Sequence, residues 1–398
     1  MPRVLIVLLT LMLTGCATAP AGPPQPRPLT LLISIDGFRS DYLDRGATPV
    51  LAGLAAEGAT GPMRPSFPSL TFPNHYALVT GLHPDHHGMV GNNFDDPVLG
   101  RFTQARKETG WWNEAEPIWV TAETAGLTAA TMFWPGSETE IRGRRPTYWR
   151  PYDSAVGNTA RVDQVLAWLD LTDGRPDLVT LYFDVVDTVG HATGPGSPET
   201  LAAAGEVDAA IGDLVQGLKD RELYDRTTLV IVSDHGMAPI RPEQTIYVDD
   251  ALPAGALDVI YASGVAYLAP MPGHEAAVDA ALIGRKDHYE CWRRGELPAR
   301  FVLGTNPRVP PIVCLADIGW YLASRARPLR SPGGAHGFDN ASTEMQALFI
   351  ARGPSIRTGV VLRDMDSVDV QPLLGRLLGI AVPVGDGRAA DSLPAMRR

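Results

Sequence analysis

The sequence predicts an α/β fold, a mainly parallel sheet flanked by helices with a smaller inserted subdomain, and three observations lead there. First, short apolar runs end in polar residues, as buried parallel strands do. Residues 29–35 run into Asp36-Gly37, 178–183 into Asp184, and 229–232 into Ser233-Asp234-His235-Gly236. Second, helix-like stretches stand among them at 49–57, 158–169 and 199–221, with apolar residues recurring at three and four. Strands alternating with helices imply a parallel sheet, and 347–350 reads as a further strand. Third, the stretch 253–330 changes character. It carries Pro, Gly, charged pairs such as Arg293-Arg294, and two cysteines, and reads as a subdomain inserted before the chain returns to the sheet.

Ligands of open α/β sheets gather beyond the carboxyl ends of strands. Asp36 and Asp234-His235 therefore stand at a binding edge before any chemistry is considered.

Residues 1–19 do not belong to the fold. One arginine, the apolar run 4–13 and Leu13-Thr14-Gly15-Cys16 read as an export signal of the bacterial lipoprotein type, cut before Cys16, which is then acylated. The run is too short for a span, which needs about 20 apolar residues. Residues 20–28 (PAGPPQPRP) form a proline-rich tether. The expected location is the cell envelope, lipid-anchored and facing the periplasm, with membrane contact through the anchor alone. Residues 29–398 remain for the folded domain.

An exported chain meets an oxidising space, so Cys291 and Cys314 are expected to form one disulfide. The net charge of −11 argues against a nucleic-acid surface, which needs basic patches.

Four clusters carry donors for divalent cations: Asp36-Gly37, Asp187 to His191 (DTVGH), Asp234-His235-Gly236-Met237 and Gly333 to Gly337 (GGAHG). Each alone is weak. Together they offer three carboxylates and three imidazoles in glycine-flanked turns, donors that suit zinc, with manganese and iron as alternatives. Thr71, in Pro68-Ser-Leu-Thr-Phe-Pro-Asn-His75, reads either as a helix N-cap or as a hydroxyl activated by neighbouring metal at a helix N-terminus that welcomes phosphate.

Six ordered motifs resemble the nucleotide pyrophosphatase/phosphodiesterase family of the alkaline phosphatase superfamily. They are Ile35-Asp36-Gly37, Phe67-Pro68 with Thr71 to His75, His87 to Asn92 (HGMVGN), Trp134 to Ser137 (WPGS), Asp187 to Pro195 (DTVGHATGP) and Ser233 to Met237 (SDHGM), with His336-Gly337 beyond them. The resemblance implies an alkaline-phosphatase-like fold and two zinc ions per chain. It implies Asp36, Thr71, Asp234 and His235 as ligands of one ion and Asp187, His191 and His336 as ligands of the other. Thr71 resembles the nucleophile, and Asn92 the amide that contacts a nonbridging phosphate oxygen. Phe72 resembles one wall of a nucleobase slot, with Tyr148 or Trp149 expected as the other and Tyr152 competing with them. Val185-Val186 departs from the Glu-Pro that often precedes the aspartate of Asp187.

The implied activity is hydrolysis of phosphodiester or pyrophosphate bonds in nucleotide-type substrates through a covalent Thr71 intermediate. A phosphomonoesterase is the near rival and would need cations at the phosphate, for which Arg142, Arg144 and Arg145 are the candidates. A sulfatase is excluded by threonine at the nucleophile position. From another class, a surface binding lipoprotein with structural metals competes. Structural zinc sites close with four protein ligands, whereas the second set offers three, which favours an enzyme.

Overall fold

The computed structural model describes residues 29–397, so the export signal, Cys16 and the tether lie outside the described residues. The chain runs through β1 (Leu29–Ile35), α1 (Pro49–Glu57), β2 (Ala59–Arg64), α2 (Thr71–Thr80), β3 (Ala129–Met132), β4 (Tyr148–Arg150) and α3 (Asn158–Leu169). It continues with β5 (Leu178–Phe183), α4 (Val185–Thr193), α5 (Pro198–Asp220), β6 (Thr227–Val232) and β7 (Ala238–Ile240). Then come β8 (Leu257–Ala262), β9 (Val265–Pro270), β10 (Gly284–Lys286), β11 (Tyr289–Arg293), β12 (Ile312–Ala316), β13 (Gly333–Ala335), β14 (Ala347–Arg352) and β15 (Val360–Val361).

A nine-stranded sheet forms the centre, in the order β15-β2-β14-β6-β1-β5-β3-β4, with Met365–Asp366 also paired to β2. The five strands from β6 to β4 are mutually parallel. β14 enters antiparallel to both β6 and β2, so the sheet is mixed.

Every residue of β1, β5 and β6 is buried, because helices cover both faces of these central strands. Leu29, Leu31, Ile33 and Ile35 of β1 pack on one face with Leu51 of α1, Val162 of α3 and Val207 of α5. Leu32 turns the other way, into a core that contains Tyr76, Leu78 and Val79 of α2. Pro49 opens α1 at a position where its missing N–H costs nothing, and the Ser197 hydroxyl caps α5 by accepting the Thr200 N–H.

A second sheet, β8-β9-β12-β11-β10, is antiparallel throughout. Cys291 and Cys314 stand opposite each other on β11 and β12 and are joined by a disulfide. Among the described residues no helix is long and apolar enough to cross a membrane.

Candidate active site

Neighbouring strands lie about 4.8 Å apart, and β6, β1 and β5 are adjacent and end at one edge. Asp36 follows β1, Asp187 stands in the first turn of α4 after β5, and Asp234 follows β6, so three carboxylates converge without a long excursion. His235 comes next in the chain. His336 follows β13, which pairs with β7 just beyond it. Thr71 opens α2 in the same region.

The donors fall into two adjoining groups. In one, His235 Nε2 lies 3.1 Å from Asp234 Oδ2, 3.6 Å from Asp36 Oδ1 and 3.3 Å from Thr71 Oγ1. In the other, Asp187 Oδ2 lies 3.4 Å from His191 Nε2 and its Oδ1 lies 3.8 Å from His336 Nε2. Four ligands at zinc–donor distances stand about 3.3 Å apart in a tetrahedron. The observed separations match that spacing.

Asp36 Oδ1, Asp187 Oδ1 and Asp234 Oδ2 are buried and have no hydrogen-bond partner among the described residues. Orphaned buried carboxylate oxygens are costly, and all three point into the donor groups. Meanwhile Nδ1 of His191, His235 and His336 meets the carbonyls of Gly334, Gly236 and Ser69 at 2.8, 2.9 and 2.9 Å. Donating from Nδ1 fixes the tautomer and leaves each Nε2 lone pair free for a metal. The residues present therefore fit two divalent cations.

Electrostatics agree. Burial, with Asp234 and Asp187 nearby, holds Asp36 well above the ordinary carboxylate range, and burial raises Asp187 too. Burial would also raise Asp234, but His235 and His75 hold it below that range. Burial, then His235 and His191, push His336 well below the usual imidazole value, so it stays neutral. Such a cluster of buried acids calls for cations.

Three local expectations are corrected. Asp187 and His191 do not sit in a glycine-flanked turn: both lie on α4, four residues apart and on one face. Gly190 between them serves close packing instead, since a Cβ there would stand 2.7 Å from Met237 Sδ. Thr71 is not the N-cap of α2, because Leu70 holds that position and Thr71 is the first helical residue. Its hydroxyl is thus free to face His235.

The third correction concerns the slot. A cavity of about 540 Å³ opens over Thr71, with Phe72, Phe133, Lys107, Glu138 and Tyr152 among its walls. Tyr148 and Trp149 do not line it. Tyr148 stacks on Trp168 and Trp149 lies under the Arg145 guanidinium, so both are spent on the sheet edge. Tyr152 does line it, its hydroxyl bonded to Asp184 and its ring packed edge-on against Phe133. Asn92 Oδ1 accepts the Phe72 N–H at 3.0 Å, which ties the amide to the first turn of α2 and leaves its NH₂ to donate elsewhere.

A profile of the family described as type I phosphodiesterase / nucleotide pyrophosphatase matches residues 30–339. The chain belongs to this family. An uncharacterized pyrophosphatase/phosphodiesterase of Schizosaccharomyces pombe is 37% identical over 399 residues, covering 92% of this chain and 80% of the relative. Ectonucleotide pyrophosphatase/phosphodiesterase family member 1 of Homo sapiens is 36% identical over 386 residues, covering 92% of this chain but only 41% of that longer protein. The solved structure of murine ectonucleotide pyrophosphatase/phosphodiesterase 5, an inactive threonine-to-alanine variant in complex with AMP, superimposes with a TM-score of 0.89. The two are 33% identical, with 93% of this chain and 100% of that one covered. The fold is the alkaline-phosphatase-like arrangement expected, and the chain is a hydrolase of the pyrophosphatase/phosphodiesterase kind.

Two buried residues of this phosphodiesterase escaped the sequence reading. His75 approaches Asp234 Oδ2 at 3.4 Å, yet its Nδ1 meets Thr71 O at 2.9 Å and its Nε2 meets Ser34 Oγ at 2.9 Å. Both nitrogens are engaged, so His75 steadies the start of α2 and keeps no free lone pair for a metal. Tyr182 donates to Asp36 Oδ2 at 2.6 Å, leaving Oδ1 facing the donor group. A signal for them exists in polar residues (Ser34, Tyr182) near the carboxyl ends of otherwise apolar strands.

Proposed function

We propose that the chain hydrolyses phosphodiester and pyrophosphate bonds of nucleotide-type substrates through a phosphoester on Thr71, between two divalent cations that the donor set marks as zinc. One observation carries the reading: Thr71 Oγ1 does not cap its own helix but faces His235 Nε2 beside two groups of orphaned carboxylate oxygens.

Asp36, Asp234, His235 and Thr71 would hold one cation, and Asp187, His191 and His336 the other. Bound there, the cations would lower the pKa of the Thr71 hydroxyl, draw in the phosphate and stabilise the leaving oxygen. Thr71 Oγ1 attacks phosphorus in line as the first alcohol departs. Water then cleaves the Thr71 phosphoester and restores the hydroxyl. The Asn92 amide donates to a nonbridging oxygen as charge develops. Phe72 and Tyr152 flank the group that remains on phosphorus, and the AMP complex of the murine relative supports a nucleoside there.

Charge favours diesters. Three carboxylates offset all but one of the four positive charges of two divalent cations, and ionising Thr71 removes the last. A monoester would bring a second negative charge, and Lys107 is the one cation among the described residues lining the cavity. It is ion-paired to Glu138. Arg142, Arg144 and Arg145 do not line it.

Thr71→Ala is expected to abolish hydrolysis of bis-p-nitrophenyl phosphate while metal content stays intact. Near-normal turnover in that variant removes Thr71 as nucleophile, and faster hydrolysis of p-nitrophenyl phosphate by the parent chain removes the diester preference. The same proposal includes export and lipid anchoring at Cys16, facing the periplasm. Its support is the leader sequence, with a disulfide that suits an oxidising space. Incorporation of labelled palmitate that persists in Cys16→Ala contradicts it.

A further inference from the structure

Asn92 and Phe72 do not rest on the central sheet alone. The segment from Gly88 to Trp112 carries Asn92 and backs Phe72, whose ring packs against Phe102 and Trp112 at centroid distances of 5.9 and 6.0 Å. In that segment only short strands occur, Phe94–Asp96 and Gly100–Phe102, with one 3₁₀ turn, Thr109–Trp111. Something else must fix it, because a mobile amide cannot donate at a set point in space.

The inserted sheet supplies the fixings. From β9, the Tyr267 hydroxyl donates to Val90 O at 2.6 Å, two residues from Asn92. Its ring closes on Gly91 so tightly that a Cβ there would stand 2.7 Å from Tyr267 Cε2. Just before β12, Arg308 is 3% exposed and spends its guanidinium on this same segment. It donates to Asp96 Oδ2 at 2.7 Å, to the carbonyls of Gly88, Trp111 and Gly110 at 3.0, 2.9 and 3.0 Å, and pairs with Glu114 at 3.1 Å. It also lies 5.9 Å from the centroid of Phe94, which stacks on Phe102, which in turn supports Phe72.

We propose that Tyr267 and Arg308 are positioning residues for the phosphoryl-transfer reaction: they make the inserted sheet the platform that holds Asn92 at the phosphate. The proposal rests on the role given to Asn92 above. It assigns the inserted sheet a catalytic purpose beyond enlarging the core. Neither residue touches the reacting atoms, so their influence must pass through Asn92.

A double-mutant cycle tests this, because residues acting through one contact are non-additive. Tyr267→Phe removes only the hydroxyl and keeps the ring, so the fold is retained. On bis-p-nitrophenyl phosphate it is expected to lower kcat by about threefold to tenfold, the scale of one hydrogen bond, with metal content unchanged and Tm lowered by only a few degrees. In an Asn92→Ala background, itself slower by about 10²-fold or more, the same substitution is expected to do nothing further. Arg308→Met should show the same non-additivity with a larger loss. Equal losses from Tyr267→Phe in both backgrounds, or no loss while Asn92→Ala is crippled, overturn the positioning role. An Asn92→Ala chain that turns over normally overturns the Asn92 assignment itself, so the two failures read differently.

Discussion

A Cβ built on Gly37 would stand 2.9 Å from Cβ of Asp187, and Gly37 holds a φ of +67°. The turn after β1 thus presses against the helix that carries one donor group while presenting Asp36 to the other, and the Gly37 N–H also donates to Asp234 Oδ1 at 3.1 Å. The close approach to Asp187 and the positive φ demand glycine.

Gly37→Ala is therefore expected to separate the two groups. Stability should fall by about 1–3 kcal/mol from strain and overpacking. Bound metal should drop below two ions per chain, with a matching loss of diesterase activity. Two ions and full activity in a folded Gly37→Ala chain contradict this.

Tyr182→Phe removes the one hydrogen bond to Asp36 Oδ2 without changing the shape of the buried ring. Partners that orient ligands typically contribute about 10- to 100-fold to metal affinity. That loss is the expected outcome, measured by competition with a chelating dye, and an unchanged affinity argues that Asp36 is no ligand.

Acid should weaken metal binding, and the sign follows from the raised carboxyls. Burial, then Asp234 and Asp187, hold Asp36 up, and burial raises Asp187. At these two carboxyls the metal-free fold therefore binds more protons than the unfolded chain. Its stability declines as pH rises from the ordinary carboxylate value to the raised one, and stays diminished above. Cations need the ionised carboxylates, so they bind more tightly over the same range. The gap in Tm between metal-loaded and chelated protein should widen as pH rises above the ordinary carboxylate range. A gap that narrows speaks against carboxylate ligation.

Tyr152 and Tyr148 should behave differently. Stacking on a base is worth about 1–3 kcal/mol, so Tyr152→Ala should raise KM for nucleoside diesters by roughly 5- to 150-fold. Tyr148→Ala, at the sheet edge against Trp168, should leave KM unchanged and lower Tm. The reverse pattern restores Tyr148 to the slot.

The strands and the donors were legible in the sequence because each rests on a local pattern. β1 and β5 match their apolar runs, since burial on both faces keeps charged residues out of them, and α1 and α3 match their predicted limits. Asp36, Asp234 and His235 could be placed because a polar residue after such a run has few places to go. Less could be read where tertiary contacts decide. That Tyr152 and not Tyr148 turns into the cavity depends on Asp184 across the site. His75 looks like a metal donor by type, and only its bonds to Ser34 and Thr71 O show otherwise. Likewise nothing local to Thr71 separates a cap from a nucleophile; the N-cap at Leu70 does.

The stereochemical course at phosphorus tests the central claim most directly. Two in-line displacements through Thr71 restore the original configuration, whereas direct attack by water inverts it. Hydrolysis of one diastereomer of a chiral phosphorothioate nucleotide diester in ¹⁸O-water should therefore give product with retained configuration. Inversion would contradict a covalent Thr71 intermediate.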